Sequence, residues 1–457
     1  MDMRGTGRWI LSVAVAALLA FSSSSAAYAQ GRSLIRDAEI EATIRDFATP
    51  LFHAAGLDPD AIDIYIVKDD SLNAFVAGGQ NLFIHTGLLI RTRDPLELIG
   101  VIAHETGHIA GGHLARTADA IASASNMALV ATILGLAAGI AAGNAGAGAA
   151  IALGGSNTAQ RSFLEYSRTQ ESAADQAALT YLDQTGQSSK GLDEFLRTLS
   201  GQELLSAGRR DPYLNTHPMS QDRIAAVGAH MDRSEYRDRP ATEDQIRRHA
   251  RMVAKLYAFL KPPAQTFRKY PEADTSVPAR YARAVAYYDQ LHELDKGLEI
   301  VRGLIKEFPD DPYFHELEGQ ILFENGRPAE ALPGYEAAHR LDPKSGQIEI
   351  LLARCLLALN TPEADQRALR HMESAIQTED DWSSAWRELA IAYGRVGRLG
   401  DSALALAEQF ARQGKWREAE GQAKRAQAQL PKGSPAALRA LDVEEQARRE
   451  YERQKNG

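Results

Sequence analysis

The feature that most restricts this chain is the stretch Val101-Ile102-Ala103-His104-Glu105-Thr106-Gly107-His108-Ile109-Ala110. On a helix, positions i and i+4 lie one turn apart on one face, so His104 and His108 can grip a single zinc ion. Glu105 is rotated away from both and is free to act as a base on water at that ion. The flanks predict the helix. Asp94 is placed to cap it, Pro95 suits its first position, and Glu97 stands where a capping box wants it. Leu96, Leu98, Ile99, Ile102, Ile109 and Leu114 make the helix largely apolar, which predicts burial. Two imidazoles and a carboxylate in such a helix are costly unless something compensates them, and a metal does.

A catalytic zinc wants three protein ligands and an open position. The segment Ser167-Arg168-Thr169-Gln170-Glu171-Ser172-Ala173-Ala174-Asp175 offers the third. Its pattern predicts a helix ending near Gly186, with Glu171 and Asp175 one turn apart. Alone, such a pair reads as a solvated acidic face. Beside a His-Glu-x-x-His pattern that lacks one ligand, it reads as carboxylates turned inward to a cation. Farther on, His217-Pro218 precedes a short helix carrying Arg223, and Pro218 holds His217 extended.

At 457 residues the chain is too long for one core, so two or more domains are expected. Hydrophobic content of 44% with 24% charged residues fits a folded protein. A formal charge of -9 implies no general affinity for nucleic acid. Cys355 is alone, so no internal disulfide and no Cys₂His₂-type zinc site can form. Residues 1–29 read as a signal peptide: basic Arg4 and Arg8, an apolar run from Trp9 to Phe21, and a small-x-small Ala27-Tyr28-Ala29. Cleavage after Ala29 predicts a protein exported across a membrane.

After the signal, Arg36 to Ala54 has helical apolar spacing. Three extended segments follow, at Ile62–Val67, Asn73–Ala77 and Asn81–His85, and predict a small β-meander just before the metal helix. An exposed strand edge there could pair with an extended peptide. Between Asp119 and Arg161 there is no charge, and much of the segment is Ala and Gly. Such residues give little drive for insertion, so 120–160 reads as a flap or hairpin over the cleft that can touch a membrane surface, with a bilayer span by Met127 to Gly155, and so a membrane-embedded peptidase, as the alternative. A helix from Asp244 to Leu260 and Pro262-Pro263 close a first domain, set at 30–265.

The pattern then changes. Pro278 and Pro312 mark a step of 34 residues (312 minus 278), and a third unit starts near Gly346. Leu317, Gly319, Ala331, Tyr335, Ala338 and Pro343 fall where tetratricopeptide repeats place packing residues. Tyr281, Tyr288 and Pro309 correspond in the preceding unit. This predicts a stacked array over 278–440 with a concave binding face, closed by a charged helix within 441–457.

With these motifs in place, the chain resembles the exported gluzincin metallopeptidases of the BepA type, related to HtpX. The resemblance rests on His104-Glu105-Thr106-Gly107-His108, on Glu171-Ser172-Ala173-Ala174-Asp175, and on Asn73-Ala74-Phe75 and Thr86-Gly87-Leu88-Leu89. It extends to His217-Pro218 and Arg223. It implies a mostly α chain, with a zincin-like α+β metallopeptidase domain followed by an α-solenoid of tetratricopeptide repeats. It implies one Zn2+ per chain on His104, His108 and Glu171, with Glu105 as general base and Asp175 orienting a ligand histidine. His217 and Arg223 would stabilise the oxyanion, and His217 could instead cover the zinc as a self-inhibiting switch. The implied role is quality control of envelope proteins, with outer-membrane proteins as substrates and the repeats recruiting them or the outer-membrane assembly machinery. The rival reading is a periplasmic chaperone or scaffold whose zinc site is largely occluded. With Cys355 alone, the repeat-domain disulfide of some relatives cannot form.

Overall fold

The structure, a computed structural model, describes residues 34–113, 168–200, 217 and 220–456. The signal segment, the 120–160 stretch and Pro218 lie outside them. The chain divides into two units, one made of residues up to 36 and 40–253, the other of 37–39 and 254–457.

In the first unit, strand β1 (Leu34–Ile35) precedes helix α1 (Ala38–Ala54), whose Ile40, Ile44, Phe47 and Leu51 are buried at helical spacing. Strands β2 (Ile64–Val67), β3 (Ala74–Ala77) and β4 (Asn81–His85) follow where the alternating pattern predicts them. Their arrangement is not the expected meander. The order is β1-β2-β4-β3, with β2 and β4 parallel (Ile64 beside Leu82) and β3 antiparallel to β4. Parallel pairing needs a crossover, and the excursion through β3 provides it. Local alternation identifies a strand without naming its neighbour. Among the described residues β3 is thus an edge strand.

Helix α2 (Thr86–Arg91) leads to α3 (Pro95–Ala110), which carries the histidine motif. Asp94 caps the helix as predicted, its carboxylate accepting from Leu96 N at 2.7 Å, while Glu97 reaches one residue past the cap and accepts from Arg93 N at 2.9 Å in place of the reciprocal box bond. Apart from His108 and Ala110, every residue of α3 is buried. Helix α4 (residues 168–184) carries Glu171 and Asp175, and α5 (Lys190–Ser200) packs on α3. Both neighbours approach through glycines. A Cβ on Gly191 would sit 2.2 Å from Leu96 C, and one on Gly107 would sit 2.7 Å from Ala174 O. Helices α6 (Gln221–Met231) and α7 (Glu243–Leu260) complete this part of the chain.

The second unit is helical. After α8 (Pro263–Lys269) come α9 (Val277–Val285), α10 (Leu294–Glu307), α11 (Pro312–Glu324), α12 (Pro328–Leu341), α13 (Gly346–Ala358) and α14 (Pro362–Ala375). They continue as α15 (Ser383–Arg395), α16 (Leu399–Arg412), α17 (Trp416–Gln429) and α18 (Pro435–Asn456). The periodic residues do pack: Tyr281, Tyr288, Leu317, Ala331, Tyr335 and Ala338 are buried, while Pro309 and Pro343 lie exposed in turns. Consecutive helices pack on one another down the chain, the solenoid that a 34-residue period requires. The last helix begins earlier than Leu441, at Pro435, because the Ser434 hydroxyl accepts from Ala437 N at 3.2 Å and caps it. Among the described residues no helix is long and apolar enough to cross a membrane.

Candidate metal centre

The helical spacing of His104 and His108 brings their Nε2 atoms to 3.1 Å from each other. Gly107 lets the backbone of α4 press against α3, and this contact delivers Glu171. Its Oε2 lies 3.4 Å from His104 Nε2 and its Oε1 lies 3.4 Å from His108 Nε2. Ligands about 2.0–2.1 Å from a tetrahedral ion stand roughly 3.3–3.4 Å apart. The two Nε2 atoms and the two Glu171 oxygens thus stand 3.1 and 3.4 Å apart, close to the edge lengths of a zinc site.

His217 lies just ahead of α6, a helix capped by Ser220. Its Nδ1 is 3.3 Å from His104 Nε2 and 3.2 Å from Glu171 Oε1, so it stands at the fourth corner. The ligating atoms of His104, His108, Glu171 and His217 all lie within 4.8 Å of one another. The other ring nitrogen of His217 lies 3.3 Å from Ala74 O on edge strand β3 and 3.5 Å from Glu105 Oε1. That Glu105 oxygen is buried and accepts no hydrogen bond from any described residue.

Behind the ligands, Asp175 Oδ1 lies 2.9 Å from His104 Nδ1. This contact places the ring proton on Nδ1 and turns the Nε2 lone pair to the centre. Arg223 donates from Nε and Nη2 to the two Asp175 oxygens at 2.6 and 2.9 Å, and its Nη1 lies 2.9 Å from Glu171 Oε2. Its guanidinium thus faces both carboxylates, in the bidentate geometry that arginine suits.

The electrostatics set buried carboxylates against buried histidines and Arg223. Burial works against a charged His104, yet hydrogen bonds to Asp175 and Glu171 outweigh it and lift its pKa to about 10. Burial pulls His108 down to about 3 despite Glu171. Burial also opposes charge on Glu171 and Asp175. The former is nevertheless held well below its ordinary value by His217, His104 and His108, and the latter is lowered by Arg223 and His104. Glu105 is raised, because burial exceeds the pull of His217 and His104. In this balance the Arg223 guanidinium and one proton on His104 face two carboxylates. A zinc ion held by His104, His108 and Glu171 would take the place of that proton. The donor set, its spacing and the orphaned Glu105 oxygen all fit zinc.

One contributor escaped the sequence reading. Gly112 adopts φ 60 after the last turn of α3, reversing the chain so that His113 Nδ1 comes within 3.0 Å of His108 Nδ1. His113 thus stands to His108 as Asp175 stands to His104. A third histidine just past a Gly-Gly helix end was the available signal.

Comparisons with known proteins agree with this geometry. Residues 34–230 match peptidase family M48, and residues 322–364 match a tetratricopeptide repeat. The chain is 24% identical over 395 residues to the beta-barrel assembly-enhancing protease of Yersinia pestis, covering 85% of this chain and 79% of that one. It is 22% identical over 405 residues to the protein of the same name from Escherichia coli (strain K12), covering 88% and 81%. Metalloprotease YcaL of the same strain is 30% identical over 165 residues, which are 36% of this chain and 59% of that protein. Residues 34–230 therefore form a metallopeptidase domain of family M48, joined to tetratricopeptide repeats in a chain homologous to the beta-barrel assembly-enhancing proteases.

Proposed function

We propose that this chain is an exported zinc endopeptidase of envelope protein quality control, cleaving misassembled proteins, with outer-membrane proteins as its substrate class. The carrying observation is the convergence of His104, His108 and Glu171 at ligand spacing, with Glu105 beside them. The name shared by the long relatives supports the role in barrel assembly, and the repeat array supports recruitment of substrate or assembly machinery. The 30–265 and 278–440 divisions are kept as the peptidase and recruitment regions, and the 1–29 leader as the export signal.

His104, His108 and Glu171 would hold zinc, which when bound supplies a Lewis acid toward a carbonyl oxygen and toward water. Glu105 takes a proton from the attacking water and passes it to the departing amine; its raised pKa suits a group that must accept and then return a proton. Asp175 and Arg223 hold the ligands in place. With the Arg223 guanidinium turned to those carboxylates, oxyanion stabilisation falls in our reading chiefly to His217 once it leaves the fourth corner.

As drawn, His217 occupies the position that a catalytic zinc leaves open. This supports a self-inhibited peptidase, and it also favours the second reading, a scaffold with an occluded site. Casein hydrolysis by the zinc-loaded full chain, with and without chelator, separates them. His217→Ala should raise cleavage if His217 is a gate and lower it if His217 serves the transition state. Zinc-loaded His217→Ala protein with no activity under any condition supports the scaffold. Glu105→Gln should keep zinc and lose cleavage, and normal proteolysis by it would sink the mechanism. Crosslinking in cells with that variant identifies the trapped substrates.

A further inference from the structure

A second convergence of metal-ligating side chains lies in the repeat unit, among residues the peptidase chemistry does not use. His339 stands in the last turn of α12, Glu349 in the first turn of α13, and His371 on α14. His371 Nδ1 is 3.3 Å from Glu349 Oε1, and His339 Nε2 is 3.9 Å from the same oxygen. The two rings meet edge to face, with centroids 5.0 Å apart. One ligating atom from each of the three residues lies within 4.8 Å of the others.

Hydrogen bonding alone accounts poorly for this arrangement. Two imidazoles converge on one carboxylate oxygen, and only His371 reaches it at bonding distance. His339 Nδ1 is buried and has no hydrogen-bond partner among the described residues. His339 Nε2, turned to Glu349 beside the second ring, is the nitrogen that a cation between the three residues would take. Ligands on a tetrahedral ion of zinc size stand roughly 3.3–3.4 Å apart, which the His371–Glu349 pair already meets. His339 reaches it with a sub-ångström shift of its ring. The Glu349 side chain is 9% exposed and those of His339 and His371 are 24% and 22% exposed, so the site is backed by protein and open to water on one side.

The geometry points to a divalent transition-metal site on His339, Glu349 and His371, with zinc the best-matched ion, beyond the one expected in the peptidase domain. Two imidazoles and one carboxylate suit Zn2+, Ni2+ or Cu2+ and not the all-oxygen preference of Ca2+ or Mg2+. The ligands come from three successive helices, so the ion clips the α12 end to the α13 start and to α14. In a solenoid, stability is a sum over neighbouring interfaces, and such a clip stiffens one of them. Its fourth position is left for water or for a donor side chain of a bound protein.

The test is metal stoichiometry on the full-length chain. Protein dialysed against a zinc buffer, then freed of loose metal, should carry two zinc equivalents. His371→Gln and His339→Gln should each carry one, with unchanged circular dichroism and unchanged peptide hydrolysis. Wild-type protein loaded with Co2+ should show visible absorption for two bound ions, and each variant should lose one contribution. Two equivalents retained by both variants, or a wild-type content of one that both variants keep, overturns the proposal. If either variant fails to fold, the His104→Ala, His108→Ala double variant decides: one zinc equivalent retained supports the site and none rejects it.

Discussion

Replacing Arg223 tests how the metal centre is held together. Its guanidinium makes three contacts of 2.6, 2.9 and 2.9 Å with Asp175 and Glu171, and all three side chains are almost wholly buried. Arg223→Ala leaves those carboxylates buried with one positive partner fewer. Breaking a buried pair in this way costs about 3–5 kcal/mol, because the remaining charge is uncompensated. Asp175 then holds His104 less firmly and Glu171 is free to swing, and loss of such support weakens metal binding by roughly 10–100-fold. Arg223→Lys restores the charge but not the two-pronged contact, so it should fall between the two. Urea unfolding of metal-free protein reads the first quantity, and zinc competition against a chromophoric chelator reads the second. If Arg223 acted on the oxyanion alone, stability and zinc affinity would be unchanged and kcat would fall by about 10²–10³. An alanine variant with wild-type midpoint and wild-type zinc affinity refutes the supporting role.

Three further outcomes follow from particular residues. Gly107→Ala places a Cβ 2.7 Å from Ala174 O and 3.0 Å from Ala174 Cα, so α4 must retreat by roughly half an ångström, at a cost of about 1–3 kcal/mol. Metal ligands tolerate about 0.2 Å, so zinc affinity should fall at least tenfold, and unaltered affinity would show that the helices slide freely. His113→Ala should weaken zinc binding by about 10–100-fold while His113→Gln retains part of it, with a null result in both removing His113 from the centre. Glu316, in the second unit, is raised to about 7 by burial and by Asp37 and Glu39 against the pull of Lys255. Its folded state holds a proton that the unfolded state gives up near 4.5, so its contribution is full below 4.5 and is lost as pH rises through 7. The change is on the order of 3 kcal/mol. Glu316→Gln should therefore gain urea resistance over wild type at pH 8 and not at pH 4; equal resistance at pH 8 contradicts this.

Much of the site was legible before any coordinates. His104 and His108 are four residues apart, and helix geometry turns that interval into one face. Asp94, Pro95 and Glu97 announce the helix start, and the Asp94 cap bond forms there. The 34-residue step declares a solenoid because each helix pair must bury its face on the next. These are local relations, settled by the 3.6-residue turn and by repeat length. The meander failed for the complementary reason: β2, β3 and β4 each show their alternation, while the parallel pairing of β2 with β4 is a choice among distant partners. The role of Arg223 likewise depends on where its guanidinium arrives, 48 residues from Asp175. His113 required the left-handed turn at Gly112, and His217 reaches a histidine 113 residues earlier in the chain. His339, Glu349 and His371 read singly as ordinary polar positions on three helices and become a site only when those helices stack. The chain's own periodicities and caps dictate which residues share a helix face. Which faces meet, and so which side chains surround an ion, is set by packing between segments far apart in sequence, where sub-ångström steric fits such as Gly107 against Ala174 decide the distances.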